Sequence, residues 1–160
     1  MREFVQRRAF FDDYSETTDL SSPSLAKYGR RLTCPCCGLP TLRGRASYEI
    51  CFLCSWEDDG QDDDDAAEAR GGPNHGLSLE SARLNFDQYL VMYEPGRDPR
   101  ISKGDSPATR SVKERIMAAF DAILERPPAE HESSWKTVVD SQRELLRLLR
   151  EDIRDYEQRA

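Results

Sequence analysis

The chain has 160 residues, 30 acidic against 23 basic, and a net charge of −7. Its apolar share is 38% and its charged share 33%, so it can fill one ordinary domain, or a small module with helical extensions, around a lean core. No apolar run is long enough for a transmembrane helix, and no secretory signal is expected from the opening Met-Arg-Glu-Phe-Val-Gln-Arg-Arg. The expected setting is therefore a reducing cytoplasm without a membrane partner. The acidity is local. Residues 46–69 hold nine acids (Glu49, Glu57, Asp58, Asp59, Asp62, Asp63, Asp64, Asp65, Glu68) and no Lys or Arg. A single-signed patch steers oppositely charged partners and repels nucleic acid.

In chain order, residues 1–14 (Phe4, Val5, Phe10, Phe11, Tyr14) fit a short helix or a strand equally well. Residues 15–24 read as a loop, and Ser22-Pro23 starts a helical turn that Gly29 stops. The whole stretch 1–31 is expected as an N-terminal extension. Residues 32–94 form the second section. In it, Arg45-Ala46-Ser47-Tyr48-Glu49-Ile50-Cys51 alternates weakly, as a strand would. Residues 57–65 are mostly Asp and cannot form a core. Gly71-Gly72-Pro73-Asn74 is a turn. Ser78 caps a helix with Leu79, Ala82, Phe86, Tyr89, Leu90 and Tyr93 at helical spacing, ended by Pro95-Gly96. After a Gly/Pro/Asp linker comes the third section, 107–160. Its first helix starts at Ser106-Pro107, with Val112, Ile116, Ala119, Phe120 and Ile123 on one face, and Pro127-Pro128 stops it. Another helix runs from about Ser134, with Trp135, Val138, Val139, Leu145, Leu146, Leu149, Ile153 and Tyr156 inward. Charged outer faces make these two an antiparallel helical pair. The fold class is α+β: a small zinc-ribbon-like β module with two Cys-x-x-Cys knuckles, plus about three α-helices.

All five cysteines fall between positions 34 and 54. An odd number so crowded argues against a disulfide framework. Cys34–Cys37 and Cys51–Cys54 are two Cys-x-x-Cys units. Thiolates three apart on a knuckle turn point to one side, and two knuckles brought together close a tetrahedral four-sulfur site. One structural Zn²⁺ is the expected cofactor. Rubredoxin-like iron would use the same ligands, and a thioredoxin-like pair lacks its βαβ surroundings. Four thiolates leave no open position for water, against a catalytic metal. Pro35 and Gly38 suit the first turn. Ser55 stands where the first knuckle has glycine, so the second turn is expected to be less ideal or differently shaped. Cys36 reads as a small filler facing away from the metal.

Cys34-Pro35-Cys36-Cys37-Gly38, Ser47-Tyr48-Glu49-Ile50-Cys51, Cys54 with Trp56-Glu57-Asp58-Asp59-Gly60, Gly71-Gly72, Asn74 and the Ser78–Phe86 helix occur here in that order. On these residues, 32–93 resemble the bacterial CPCC cysteine-rich domain family. The resemblance implies a small, zinc-holding domain and no particular activity. By analogy, small acidic bacterial proteins of this kind include immunity proteins, which neutralise toxins.

Trp56 can pack over the metal while Asp58 and Asp59 cap backbone amides. The sharper reading is an acidic docking surface of Trp56, Glu57, Asp58 and Asp59, continuous with Asp62, Asp63, Asp64 and Asp65. A calcium loop does not match the spacing. His75 and His131 read as exposed and remote from any nucleophile, and no nucleophile elbow or phosphate-cradling loop is present. Arg30, Arg31, Arg43 and Arg45 flank the first knuckle and are expected to pair with the acidic stretch. The expected function is therefore non-enzymatic: a zinc-stabilised acidic module that docks on or inhibits a basic partner protein, a toxin being one example. A nucleic-acid adaptor using those arginines and an iron electron-transfer protein are the alternatives.

Overall fold

A computed structural model describes residues 3–17, 30–97 and 104–159, with side chains beyond Asp152 described only at Arg154. Helix α1 spans Phe4–Thr17 and settles the ambiguity of the N-terminal stretch. Its inward residues Arg7, Phe11 and Ser15 recur every four positions. That is helical spacing, but a guanidinium and a hydroxyl occupy two of the three places, which is why apolar periodicity is weak. The expected loop at 15–24 is helical as far as residue 17. The rest of it, and the helical turn expected at Ser22–Tyr28, lie outside the described residues.

Strands β1 (Leu32–Thr33) and β2 (Pro40–Leu42) pair antiparallel, with Leu32 opposite Leu42 and Thr33 opposite Pro40. They flank the first knuckle. The continuous strand expected over residues 45–51 is absent. Ala46 and Tyr48 have φ of +51° and +58°, outside the extended region. The Tyr48 amide donates to the Asp58 carbonyl, and the Asp58 amide donates to the Glu49 carbonyl, both at 3.0 Å. Two residues thus oppose one, as in a β-bulge. Regular pairing is reduced to a single bridge between Ile50 and Glu57.

Helix α2 spans Leu79–Tyr89, with the Ser78 hydroxyl accepting from the Ser81 amide. It ends before the expected Tyr93 because Leu90 turns left-handed at φ +59°. That turn lets the Met92 amide donate to the Cys54 carbonyl at 2.8 Å, while Asn85 Nδ2 donates to the Met92 carbonyl. Phe11, Leu39, Leu42, Leu53, Trp56, Leu79 and Phe86 are fully buried and form this part's core.

The chain divides into two compact units, Met1–Gly104 and Asp105–Ala160. The described part of the N-terminal stretch falls within the first of these units. In the second unit, α3 (Pro107–Glu125) starts with Pro107 and the Ser106 cap, as the sequence implies. Helix α4 (His131–Arg159) begins three residues before the expected Ser134, after a 3₁₀ turn at Pro128–Glu130. The two helices pack antiparallel. Phe120 meets Trp135 edge-to-face at 5.9 Å, Arg115 Nε donates to Ser141 Oγ at 3.0 Å, and Thr109 Oγ1 donates to Asp152 at 3.0 Å. Lys113 and Asp105, both buried, form an ion pair at 2.8 Å. His131 is buried and not exposed as expected, because its Nε2 lies 2.8 Å from the Arg126 carbonyl at the end of α3. No helix among the described residues is long and apolar enough to cross a membrane.

Candidate metal centre and acidic face

Each knuckle is a loop closed by two backbone hydrogen bonds, and the two loops are copies. In the first, the Cys34 amide donates to the Leu39 carbonyl and the Gly38 amide to the Cys34 carbonyl, both at 2.9 Å. In the second, the Cys51 amide donates to the Trp56 carbonyl at 2.8 Å and the Ser55 amide to the Cys51 carbonyl at 2.9 Å. Gly38 has φ +68° and Ser55 φ +69°. The expected difference in shape is thus absent. Ser55 adopts the glycine conformation and bears the strain of doing so.

The sulfurs of Cys34, Cys37, Cys51 and Cys54 all lie within 4.8 Å of one another, and all four residues are buried. Cys34 and Cys54 sulfurs are 3.7 Å apart, and those of Cys37 and Cys51 3.9 Å. A tetrahedral ion with metal–sulfur bonds of about 2.3 Å sets its sulfurs about 3.8 Å apart. The donor set therefore fits one metal ion. Burial pushes the thiols of Cys34, Cys37 and Cys54 well up. Burial acts the same way on Cys51, but hydrogen bonds from the other three thiols and from the Cys54 amide outweigh it and hold Cys51 well down. A bound dication would stabilise all four as thiolates. The Thr41 hydroxyl, 3.1 Å from Cys51 Sγ, can donate to that sulfur. Cys36 is outside the four-sulfur set. It is fully buried, as a small filler side chain would be.

Helix α1 holds the first knuckle from outside. Arg7 Nε donates to the Cys37 carbonyl at 3.2 Å, and its guanidinium also meets Asp87 on α2 at 3.3 Å. A Cβ on Gly38 would stand 3.1 Å from the Phe4 ring and 3.3 Å from the Phe4 carbonyl oxygen. Arg83 of α2 stacks on the Phe4 ring at 4.1 Å and donates to the Pro35 carbonyl at 3.0 Å. No role at the knuckle was expected from the sequence for Arg7, Phe4 or Arg83. The only available signal was the four-residue spacing of Arg7, Phe11 and Ser15.

The eight residues expected on a docking surface divide into two sets. Trp56 and Asp58 have no exposed area, which removes them from any surface. Asp58 instead receives Arg45 Nε at 3.1 Å and the Ala46 amide at 2.7 Å, fixing the bulged loop. Asp59 accepts from the Gln61 amide. The Asp run is not a self-repelling loop. Asp62 caps a 3₁₀ turn at Asp63–Asp65 in a reciprocal box with Asp65. Asp62 meets Arg8 at 2.5 Å and Arg45 at 2.9 Å; Asp63 meets Arg8 at 3.1 Å and Arg83 at 2.6 Å; Asp65 meets Arg70. Burial opposes ionisation of Asp62, but Arg8 and Arg45 outweigh it and hold its carboxyl far below the usual carboxylate range. Of the four arginines expected to pair with the acidic stretch, Arg45 meets Asp58 and Asp62, and Arg31 is attracted by Glu49. Glu57 and Asp64 have no such partner among the described residues.

Two knuckles whose sulfurs converge define a cysteine cluster able to hold a metal ion. Residues 32–101 match the model of the cysteine-rich CPCC family. No curated protein and no solved structure matches the chain.

Proposed function

We propose that the first unit is a zinc-structured, non-catalytic binding module that docks on a basic partner protein, toxins being one class of such partner. The observation that carries this reading is the closed set of four buried sulfurs, which fills every position of a tetrahedral ion and leaves none for a substrate. Regular secondary structure adds little to hold the knuckles together: β1 and β2 contribute five residues, and the second hairpin a single bridge. A structural zinc contributes about 10–16 kcal/mol in comparable sites, more than a typical domain's net stability. The basic partner follows from charge. Residues 1–104 hold 18 acids and 13 bases, net −5.

Elemental analysis and calorimetry of the purified chain test this together. We expect one equivalent of zinc in a colourless protein, with the first unit unfolding on exhaustive chelation. A red, iron-loaded protein, or a melting profile unchanged after complete metal removal, would overturn the reading.

A further inference from the structure

The hairpin that carries the second knuckle has two faces. Trp56 and Asp58, two apart, are buried on one of them. Glu57 lies between them and is directly opposite Ile50, so the Glu57 and Ile50 side chains share the other face. On that face Ile50 is 60% exposed, and Tyr48, in the bulge two residues earlier, is 63% exposed. The backbone beneath them is rigid. The Tyr48 amide is held by the Asp58 carbonyl, and the Asn74 side chain clamps both the Glu57 amide, at 3.0 Å, and the Glu57 carbonyl, at 2.9 Å. Asn74 itself is buried.

Tyr48 is held at φ +58°, a conformation that costs a bulky residue about 1–2 kcal/mol. The fold maintains this strain and still exposes the ring, so burial of Tyr48 within the unit does not offset it. Strained backbone and β-bulges concentrate where a side chain must be aimed outward for binding. The Glu57 carboxylate has no partner among the described residues, whereas Asp58, Asp62, Asp63 and Asp65 are each met by an arginine. Two exposed apolar side chains on fixed backbone beside one uncompensated carboxylate form a small anchor with a charged rim.

We propose that Tyr48, Ile50 and Glu57 form the docking surface of this module, and that its occupant is a protein segment that alternates basic and apolar side chains. This rests on the binding-module reading and relocates its contact from the Asp62–Asp65 run to the outer face of the second knuckle. The apolar pair seats in the partner, and Glu57 meets a Lys or Arg at the edge. The remaining negative charge of the unit speeds encounter.

The test is amide chemical-shift mapping on the zinc-loaded full chain, titrated with a peptide of alternating Lys and Leu and a matched peptide of alternating Glu and Leu. The Lys–Leu peptide should shift the amides of residues 48–57. Ile50→Ser should weaken it about tenfold, and Glu57→Gln should weaken it less and reduce its salt dependence. All three side chains are at least partly exposed, so unchanged zinc content and melting will certify the variants. Shifts centred on residues 63–68 would overturn this surface while leaving the module reading intact. Equal shifts from both peptides, no localised shift, or tighter binding of oligothymidine to the same amides would also overturn it.

Discussion

Ser55 carries a left-handed backbone that Gly38 supplies without strain in the matching knuckle. Ser55→Gly should therefore stabilise the first unit by up to about 1 kcal/mol, read as a higher melting temperature of the zinc form. The reverse change, Gly38→Ala, adds a methyl group within 3.1–3.3 Å of Phe4 at φ +68° and should destabilise by about 1–3 kcal/mol. Asp62 makes a prediction in pH. Its carboxyl is held below its unfolded value, so its contribution is present above the ordinary carboxylate pKa, near 4, and is lost as pH falls below it. Asp62→Asn should lower stability at neutral pH, and the gap from the parent chain should narrow in acid, as followed by urea unfolding across pH. The four cysteines were legible because metal ligation demands a fixed spacing. The fate of Trp56 and Asp58 was not, because the alternation that buries both only appears once Ile50 is paired with Glu57.

At the scale of elements, α1 lies outside the stretch matched to the CPCC family, yet it closes the first knuckle through Arg7, Phe4 and Gly38. Arg7→Ala should cost about 2–3 kcal/mol, since it leaves the Cys37 carbonyl and the Phe86 ring without their buried partner. Chemical unfolding of the zinc form measures it. The sequence pattern that hid α1 has a physical cause: the inward stripe trades apolar side chains for an Arg that reads backbone carbonyls. Helices α3 and α4 were legible because their stripes are conventionally apolar and their ends carry Ser-Pro and Pro-Pro. Helix α2 stopped early for a tertiary reason, the bond from Met92 to Cys54, which no local signal announces.

Over the whole chain, the two units hold together by different means. The first adds four converging sulfurs and a network of arginines and carboxylates to its apolar core; the second rests on an apolar helical seam around Val112, Ile116, Phe120, Trp135 and Leu145. Calorimetry should therefore resolve two transitions, with chelator moving only the one that belongs to residues 1–104. A single transition that shifts as one would contradict this division. The acidic run deserves a different treatment from the one its composition invites. Neutralising Asp62–Asp65 together would remove a turn cap and five arginine contacts, and would report on folding. Asp64→Asn alone removes charge without a partner among the described residues.

The sequence contains two tryptophans, Trp56 in the first unit and Trp135 in the second, 0% and 2% exposed. Each unit thus has its own intrinsic fluorophore, shielded from water in the native state. With Trp135→Phe, emission follows the cysteine module alone; with Trp56→Phe, the hairpin alone. Red-shifted emission on chelation confined to the first variant would let metal-dependent unfolding be timed, one half of the chain at a time, without any added label.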